Sequence, residues 1–260
     1  MSGVPLSSSF ITLSHQLTGA QPPVFRDHVN FEFLKITGYV PGSQPFFLSW
    51  VDYQPDGTCM VFPFNTQIDP PVTVIGLDGG TTFTITGPSG NTQVTGGKSG
   101  GVGATISDTG AFLVAGSYTI KGNGGADIGP FNATTNFPQI PKLTSPADNA
   151  SVTRSNGMTV TWAGGEPNGR VQIVVSSAFD SSFTAGRQAF CQAQAKAGTF
   201  TIPGYIMTAL PAGNFGGIVL QPAPASVPFT APGIALGTIK TNHDGAGYGY
   251  GAGSGGFSLK

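Results

Sequence analysis

Glycine and proline occur so often along this chain that they decide which secondary structure it can form. The 260 residues include 40 glycines and 21 prolines, and one or the other interrupts almost every window of a dozen residues. These two residues destabilise a helix interior more than any others, and no such window places its apolar residues at helical spacing. Long helices are therefore excluded, and the chain is predicted to be all-β.

Period-two alternation of apolar and polar residues supports this prediction. Met158, Val160 and Trp162 alternate with threonines, and a second alternating run at 171–175 follows the turn 165–169. This pattern predicts a hairpin with one apolar face. Further strands are predicted at 82–86 and 117–121, each ended by glycine, whereas a helical turn is favoured only at 204–210. Short strands separated by turn residues every 8 to 12 positions or so are typical of β-sandwiches.

The length of the chain predicts two domains, because a domain usually has about 100 to 150 residues. Pro138 and Pro141 lie between strand patterns and mark the joint. The predicted units are an N-terminal β-sandwich at 1–138, a C-terminal β-sandwich at 139–241 and a glycine-rich tail at 242–260. The tail has two interpretations, a flexible end or a final edge strand through Tyr248, Tyr250 and residues 257–259.

Charge and composition exclude several classes of partner. The chain has 11 lysines and arginines, 12 acidic residues and a net charge of -1. Nucleic acid is therefore not a predicted partner, because so few cations cannot bind along its phosphate backbone. A membrane span is not predicted, since no run of about 18 apolar residues exists. With 39% hydrophobic residues the chain is not predicted to be disordered. The partners left are a glycan or a protein.

The cellular compartment is predicted from surface chemistry. Residues 1–9 lack the basic and apolar segments of a signal peptide, but low charge with abundant Thr, Ser, Gly, Asn and Gln is typical of exported β-proteins. An extracellular or cell-surface location is predicted, with no signal peptide in this chain.

The only cysteines, Cys59 and Cys191, are either two buried thiols or one bridge between the domains.

Several stretches of turn and core residues carry a family resemblance. In the second domain they are 143–150, 157–165, 189–191, 197–203 and 229–233, and in the first they are 81–90, 115–120 and 124–131. This series resembles the C-terminal Ig-like region of uncharacterised exported proteins of soil bacteria, over about residues 57 to 240. The resemblance implies two Ig-like β-sandwich domains in tandem. It implies nothing about chemistry, because the matching residues belong to turns and cores.

Three histidines are the candidate metal ligands. His28 follows Asp27, His243 precedes Asp244, and His15 stands alone. Neighbouring residues on a strand point to opposite faces, so Asp27 and His28 cannot both bind one ion from a regular strand. Solvated surface histidines are the simpler interpretation. A metal site would need the fold to bring together two or more of His15, His28 and His243.

An aromatic cluster is the candidate ligand-binding surface. It consists of Phe46, Phe47, Trp50 and Tyr53, whose rings are able to stack on the apolar faces of sugars. In a regular strand Phe46 and Trp50 share one face and Phe47 and Tyr53 the other, so one pair is free to be exposed. Core packing is the competing interpretation, because sandwiches need such residues.

Two functional hypotheses follow. The first is an exported surface or matrix module that binds a protein or glycan partner without catalysis and without a cofactor. The second is a promiscuous hydrolase that depends on a divalent metal such as zinc, with His28, His243 and nearby aspartates at the domain junction. Convergence of the three histidines on one point would favour the hydrolase, since metal ligation demands it.

Overall fold

A computed structural model describes residues 6–17, 24–37, 54–64, 73–96, 100–180, 184–223, 225–243, 246–248 and 257–260. Within these ranges the chain forms twenty strands, one short α-helix, α1 (Gly204–Thr208), and two 3₁₀ turns at Arg154–Asn156 and Ala195–Ala197. The predicted all-β class is confirmed, and so is the helical turn. No helix in the described ranges is long and apolar enough to cross a membrane.

The strands are numbered in chain order. The first ten are β1 (Leu6–Leu17), β2 (Phe25–Thr37), β3 (Cys59–Pro63), β4 (Thr73–Gly76), β5 (Thr82–Gly87), β6 (Gly90–Thr95), β7 (Gly101–Ser107), β8 (Gly116–Gly122), β9 (Phe131–Phe137) and β10 (Pro141–Ser145). The second ten are β11 (Ser151–Val152), β12 (Met158–Gly164), β13 (Arg170–Ala178), β14 (Gly186–Gln194), β15 (Thr199–Ile202), β16 (Gly213–Pro222), β17 (Ala225–Phe229), β18 (Leu236–His243), β19 (Ala246–Tyr248) and β20 (Phe257–Leu259).

These strands form four sheets. Sheet I has the order β17-β18-β1-β2-β4, with β7 also paired to β2, and sheet II has the order β6-β5-β8-β9. Sheet III is β10-β12-β15, and sheet IV is β11-β20-β16-β13-β14-β3, with β19 also paired to β16. The pairs β1 with β18 and β11 with β20 are parallel. The four sheets are arranged as a propeller-like ring, and the finer expectation of two Ig-like sandwiches stays a prediction.

Sheets I and II share one hydrophobic core, which we call unit 1. Ile11 and Phe31 from sheet I and Phe83 and Tyr118 from sheet II are fully buried in it. The rings of Phe31 and Phe83 stack with centroids 4.2 Å apart. Strand β9 shows how the sequence supports this packing, because its residues alternate strictly between buried and exposed. One apolar face for each strand is the pattern that predicts a half-buried sheet.

Sheets III and IV share a second core, which we call unit 2. It is built around Val160 and Trp162 from sheet III and Ile173, Cys191 and Ile218 from sheet IV. The indole Nε1–H of Trp162 donates to the backbone oxygen of Ala195 at 2.8 Å, so the polar atom of this large buried side chain is satisfied. The predicted hairpin of β12 and β13 is wrong, since β12 pairs with β10 and β15 and β13 pairs with β14 and β16.

The two units exchange segments with each other. The chain passes from the first core to the second between Phe137 and Leu143. However, β3 lies early in the chain and pairs with β14 of unit 2, whereas the hairpin β17–β18 lies late and pairs with β1 of unit 1. Each unit therefore contains a strand or hairpin that is distant in sequence from the strands it pairs with.

The described parts of the glycine-rich tail are strands. Tyr248 pairs with Ile218, and Leu259 pairs with Gly213, both on β16. The backbone N–H of Ser258 donates to the oxygen of Ala150 at 3.0 Å. The edge-strand interpretation of the tail is therefore the one found for these residues, and Tyr250 lies outside the described residues.

Candidate functional site

Three neighbouring strands of sheet I bring His243, His15 and Asp27 side by side. His15 on β1 is the register partner of His243 on β18 and of Asp27 on β2. All three follow the alternation of the buried residues Ile11 and Leu13, so their side chains lie on the core face of the sheet. We call these three residues the His–Asp cluster.

Asp27 is the most constrained member of the cluster. Its side chain is fully buried, and the Nδ1–H of His15 donates to its Oδ1 at 2.5 Å. The backbone N–H groups of Phe112 and Leu113 donate to its Oδ2 at 2.7 and 2.9 Å. Burial by itself raises the pKa of a carboxyl, but these hydrogen bonds and the nearby imidazole lower the pKa of Asp27 below its ordinary value of 3.8. Asp27 is therefore an ionised anchor for the segment after β7.

Aromatic stacking closes the cluster from the side. The ring of Phe25 stacks on His15 with centroids 4.4 Å apart, and His15 stacks on His243 at 4.8 Å. Gly110 lies against the ring of His15, and its own φ is 62°, in the left-handed region. A Cβ on Gly110 would lie 2.6 Å from Cε1 of His15. Only 8% of His15 and 7% of His243 is exposed, so the cluster is an internal feature of unit 1.

His243 is held neutral by its surroundings. Burial is the largest influence and lowers its pKa, the neighbouring His15 lowers it further, and Asp27 opposes both. The result is a pKa lowered from 6.5 to about 4. At neutral pH the imidazole of His243 therefore packs as an uncharged ring.

His28 does not join the cluster. It is half-buried, and its register partners are Ser14 on β1 and Thr105 on β7, which places its side chain on the outer face of sheet I. The structure thus brings together His15 and His243 but not the third histidine. In the described part of the chain, no group of three or more His, Cys, Asp or Glu side chains is placed to hold a metal ion.

The geometry of the two clustered histidines also differs from that of a metal site. A histidine binds an ion along a lone pair in the plane of its ring, at about 2.0 to 2.1 Å from nitrogen for zinc. The rings of His15 and His243 are stacked with an angle of 23° between their planes, so their lone pairs do not converge on one point. The arrangement supports packing and hydrogen bonding rather than ligation.

The predicted aromatic surface of Phe46, Phe47, Trp50 and Tyr53 lies outside the described residues. It stays a prediction.

Tyr118 is a site residue that the sequence did not reveal. Its hydroxyl accepts from the N–H of Val114 at 2.8 Å and lies 2.8 Å from the oxygen of Phe112 and 2.9 Å from that of Val114. Burial is the main cause of its raised pKa, the Val114 N–H opposes that effect, and the charge of Asp27 adds to it. Asp27 and Tyr118 together fix both sides of the segment 112–114. The alternating pattern at 117–121 predicts only a strand, because the contact depends on how the preceding loop folds back.

We expect the substitution Tyr118→Phe to lower the free energy of unfolding by about 1 kcal/mol, because the hydrogen bonds of the hydroxyl are lost and the Val114 N–H and Phe112 oxygen keep only their mutual bond at 3.1 Å. Urea unfolding at pH 7 measures this. The matched control is Tyr205→Phe, since 75% of Tyr205 is exposed and loss of its hydroxyl should leave the midpoint unchanged. Equal losses in the two variants would contradict the assigned role.

The two cysteines form a disulfide. Cys59 on β3 and Cys191 on β14 are register partners in sheet IV, with an S–S distance of 1.99 Å. Of the two alternatives open from the sequence, the bridged one is found. Gln54 adds to the attachment, because its Nε2 donates to the backbone oxygens of Thr58 at 2.6 Å and Phe190 at 2.9 Å. The bridge therefore fastens the early segment 54–64 to unit 2.

No protein-family model matches the chain, and neither the curated proteins nor the solved structures contain a significant match to it.

Proposed function

We propose that the chain is an exported, non-catalytic module of two interlocked Ig-like β-sandwiches that binds a glycan or protein partner at a cell surface or in an extracellular matrix. The observation that carries the proposal is the Cys59–Cys191 disulfide, which fastens an exchanged strand to unit 2. Structural disulfides form and persist in oxidising compartments and are rare in the cytosol.

The strand order within each unit supports the Ig-like assignment. In unit 1, β1-β2-β7 faces β6-β5-β8-β9, and in unit 2, β10-β12-β15 faces β14-β13-β16. These correspond to the A-B-E and C′-C-F strands of Ig-like sandwiches. The Tyr118 hydroxyl, bonded to the backbone a few residues upstream of its strand, corresponds to the tyrosine corner of that fold. The Cys59–Cys191 disulfide differs from the inter-sheet disulfide of antibody domains, since it joins neighbouring strands of one sheet.

The burial of the His–Asp cluster favours binding over catalysis. A general base must reach the proton that it removes from a substrate, but His15 and His243 are packed under Phe25 and Gly110. The imidazole rings of His15 and His243 pack in the interior of unit 1. The alternative of a metal-dependent hydrolase is accordingly the less favoured one.

We assign partner binding to a polar row on the outer face of sheet I. The row consists of the half-buried His28, Asn30 and Glu32 on β2, and Asn30 Nδ2 donates to Glu32 Oε1 at 2.7 Å. The neighbouring β7 carries Gly101 and Gly103 beside this row. A Cβ at Gly103 would lie 3.3 Å from Nε2 of His28 and 3.4 Å from Oδ1 of Asn30, so the absence of a side chain there leaves room for the row. Such a surface suits the hydroxyl groups of a sugar or the backbone of an extended peptide.

We expect the purified protein to bind members of an array of neutral and acidic polysaccharides, or to capture a partner from the extracellular fraction. The triple variant His28→Ala, Asn30→Ala, Glu32→Ala should weaken that binding at least tenfold, since it removes all hydrogen-bonding side chains of the row. The measurement is a binding isotherm for the ligand that the array identifies.

The matched control removes an exposed polar row from the same unit, Asn91→Ala, Gln93→Ala, Thr95→Ala on β6, and should bind normally. Hydrolysis of an activated carboxyl or phosphate ester that disappears in His15→Gln or His243→Gln, together with no bound ligand, would overturn the proposal in favour of the hydrolase.

A further inference from the structure

We propose that the His–Asp cluster is an acid-released clasp that holds the late hairpin β17–β18 on unit 1. This goes beyond the proposed binding function, because it concerns how the two units are kept together. At neutral pH the ring of His243 stacks on His15 beside Asp27, and in acid a proton on His243 loosens the end of β18.

The hairpin β17–β18 is attached to unit 1 by a ladder that ends at His243. It leaves unit 2 after β16 and returns to unit 2 at β19, so both of its ends belong to the other core. Its hold on unit 1 is the parallel ladder from Ser8–Leu236 to His15–His243, with Ile239 and Phe229 packed into the core. His243 is the final pair of that ladder. Loss of its packing would open the hairpin from this end.

Among the described residues, the charged and titratable groups nearest to His243 come from β1, β2 and the elements beyond them. From β1 it faces His15, and from β2 it faces Asp27, whose two oxygens already accept from His15, Phe112 and Leu113. Beyond Asp27 lies the uncharged Tyr118 hydroxyl of β8. Arg26 pairs with Asp108 at 3.2 Å at the exposed surface after β7. A positive charge on His243 would therefore be buried beside a second imidazole, and the nearby Asp27 carboxylate already accepts three hydrogen bonds.

The direction of the pH effect follows from linkage. The pKa of His243 is lowered from 6.5 to about 4 in the closed state, so the opened state binds the proton more tightly. Stability of the hairpin is complete above pH 6.5 and is lost as the pH falls from 6.5 towards 4. Between pH 7 and pH 5 the equilibrium constant for opening should rise about 20-fold. Asp27 remains ionised over this range, because its pKa is below 3.8.

Hydrogen exchange measured by mass spectrometry tests the clasp on the full chain. After correction for intrinsic rates at each pH, peptides covering β18 and the facing part of β1 should exchange about 20-fold faster at pH 5 than at pH 7. Peptides from β13 and β14 serve as the internal reference and should not change. An acid response of equal size in both regions, or none in β18, would overturn the proposal.

Variants separate His243 from the other histidines. His243→Gln removes the titrating group and should abolish the difference between the two pH values at β18, whereas His28→Gln on the outer face should retain it. If His243→Gln retains the full response, another group is responsible and the clasp is wrong. Should that variant fold poorly, proton NMR titration of the wild-type His243 ring decides: a midpoint near 4 supports the clasp, and one near 6.5 refutes it.

Discussion

The substitution Asp27→Ala is expected to lower the free energy of unfolding by about 3 to 5 kcal/mol, because several buried hydrogen-bond donors lose their acceptor and each such group typically costs about 1 to 3 kcal/mol. The variant leaves three donors without their acceptor: the His15 Nδ1–H and the N–H groups of Phe112 and Leu113. The segment after β7 would then lose its anchor to sheet I. Urea unfolding at pH 7 provides the measurement.

Asp108→Ala is the matched control for this experiment. Asp108 lies in the same connection, but its side chain is 77% exposed and pairs with an exposed Arg26, so its removal should change stability by less than about 1 kcal/mol. Asp27→Asn should recover part of the loss, because its amide oxygen still accepts from the two backbone N–H groups. A loss for Asp27→Ala no greater than that of the control would refute the anchoring role.

Removal of the disulfide is the second large effect. The double variant Cys59→Ala, Cys191→Ala is expected to lose about 5 kcal/mol, since the bridge closes a loop with a sequence separation of 132 residues and constrains the unfolded chain accordingly. The edge strand β3 would then be held by its ladder to β14, by Gln54 and by the backbone bonds of Gly57 and Phe64 to β14. The midpoint of thermal or urea unfolding measures the loss.

Reduction provides the control for the cysteine variant. Reductant should shift the midpoint of the wild-type protein towards that of the double variant and leave the variant itself unchanged. Limited proteolysis should cut the variant within residues 54–64 at concentrations that leave the wild type intact. A change in stability below about 1 kcal/mol would show that the strand pairing, not the bridge, attaches β3 to unit 2.

Local sequence patterns predicted the individual strands well. The runs at 82–86 and 117–121 became β5 and β8, and the run at 158–162 became β12. Frequent glycine and proline exclude long helices, and period-two alternation gives each strand one apolar face. Both patterns depend only on a few consecutive residues, so they predict a strand whichever strands it later pairs with.

Partners of those strands were harder to predict. Alternation at β12 and β13 suggested a hairpin, but the same alternation suits two strands that lie in different sheets and face each other across a core, which is what unit 2 contains. The exchange of β3 and β17–β18 between units was likewise not predicted. A predicted domain boundary assumes that contacts are made within consecutive residues, and these segments do not follow that assumption.

The candidate site shows the same division. The sequence identified three histidines and predicted that Asp27 and His28 point to opposite faces of a regular strand, because neighbours alternate between faces. It grouped His28 with His243, however, since each has an aspartate beside it. The structure instead brings His243 to His15 and Asp27.

The sequence by itself therefore determined the all-β class, the positions of several strands, the weak charge and the scarcity of acids and bases. Only the tertiary structure decided which strands pair, which segments the two units exchange and which histidines meet. The physical reason is that alternation is a property of one strand, whereas register is a property of two. The cluster exists because β18 pairs in parallel with β1 in the one register that places His243 opposite His15.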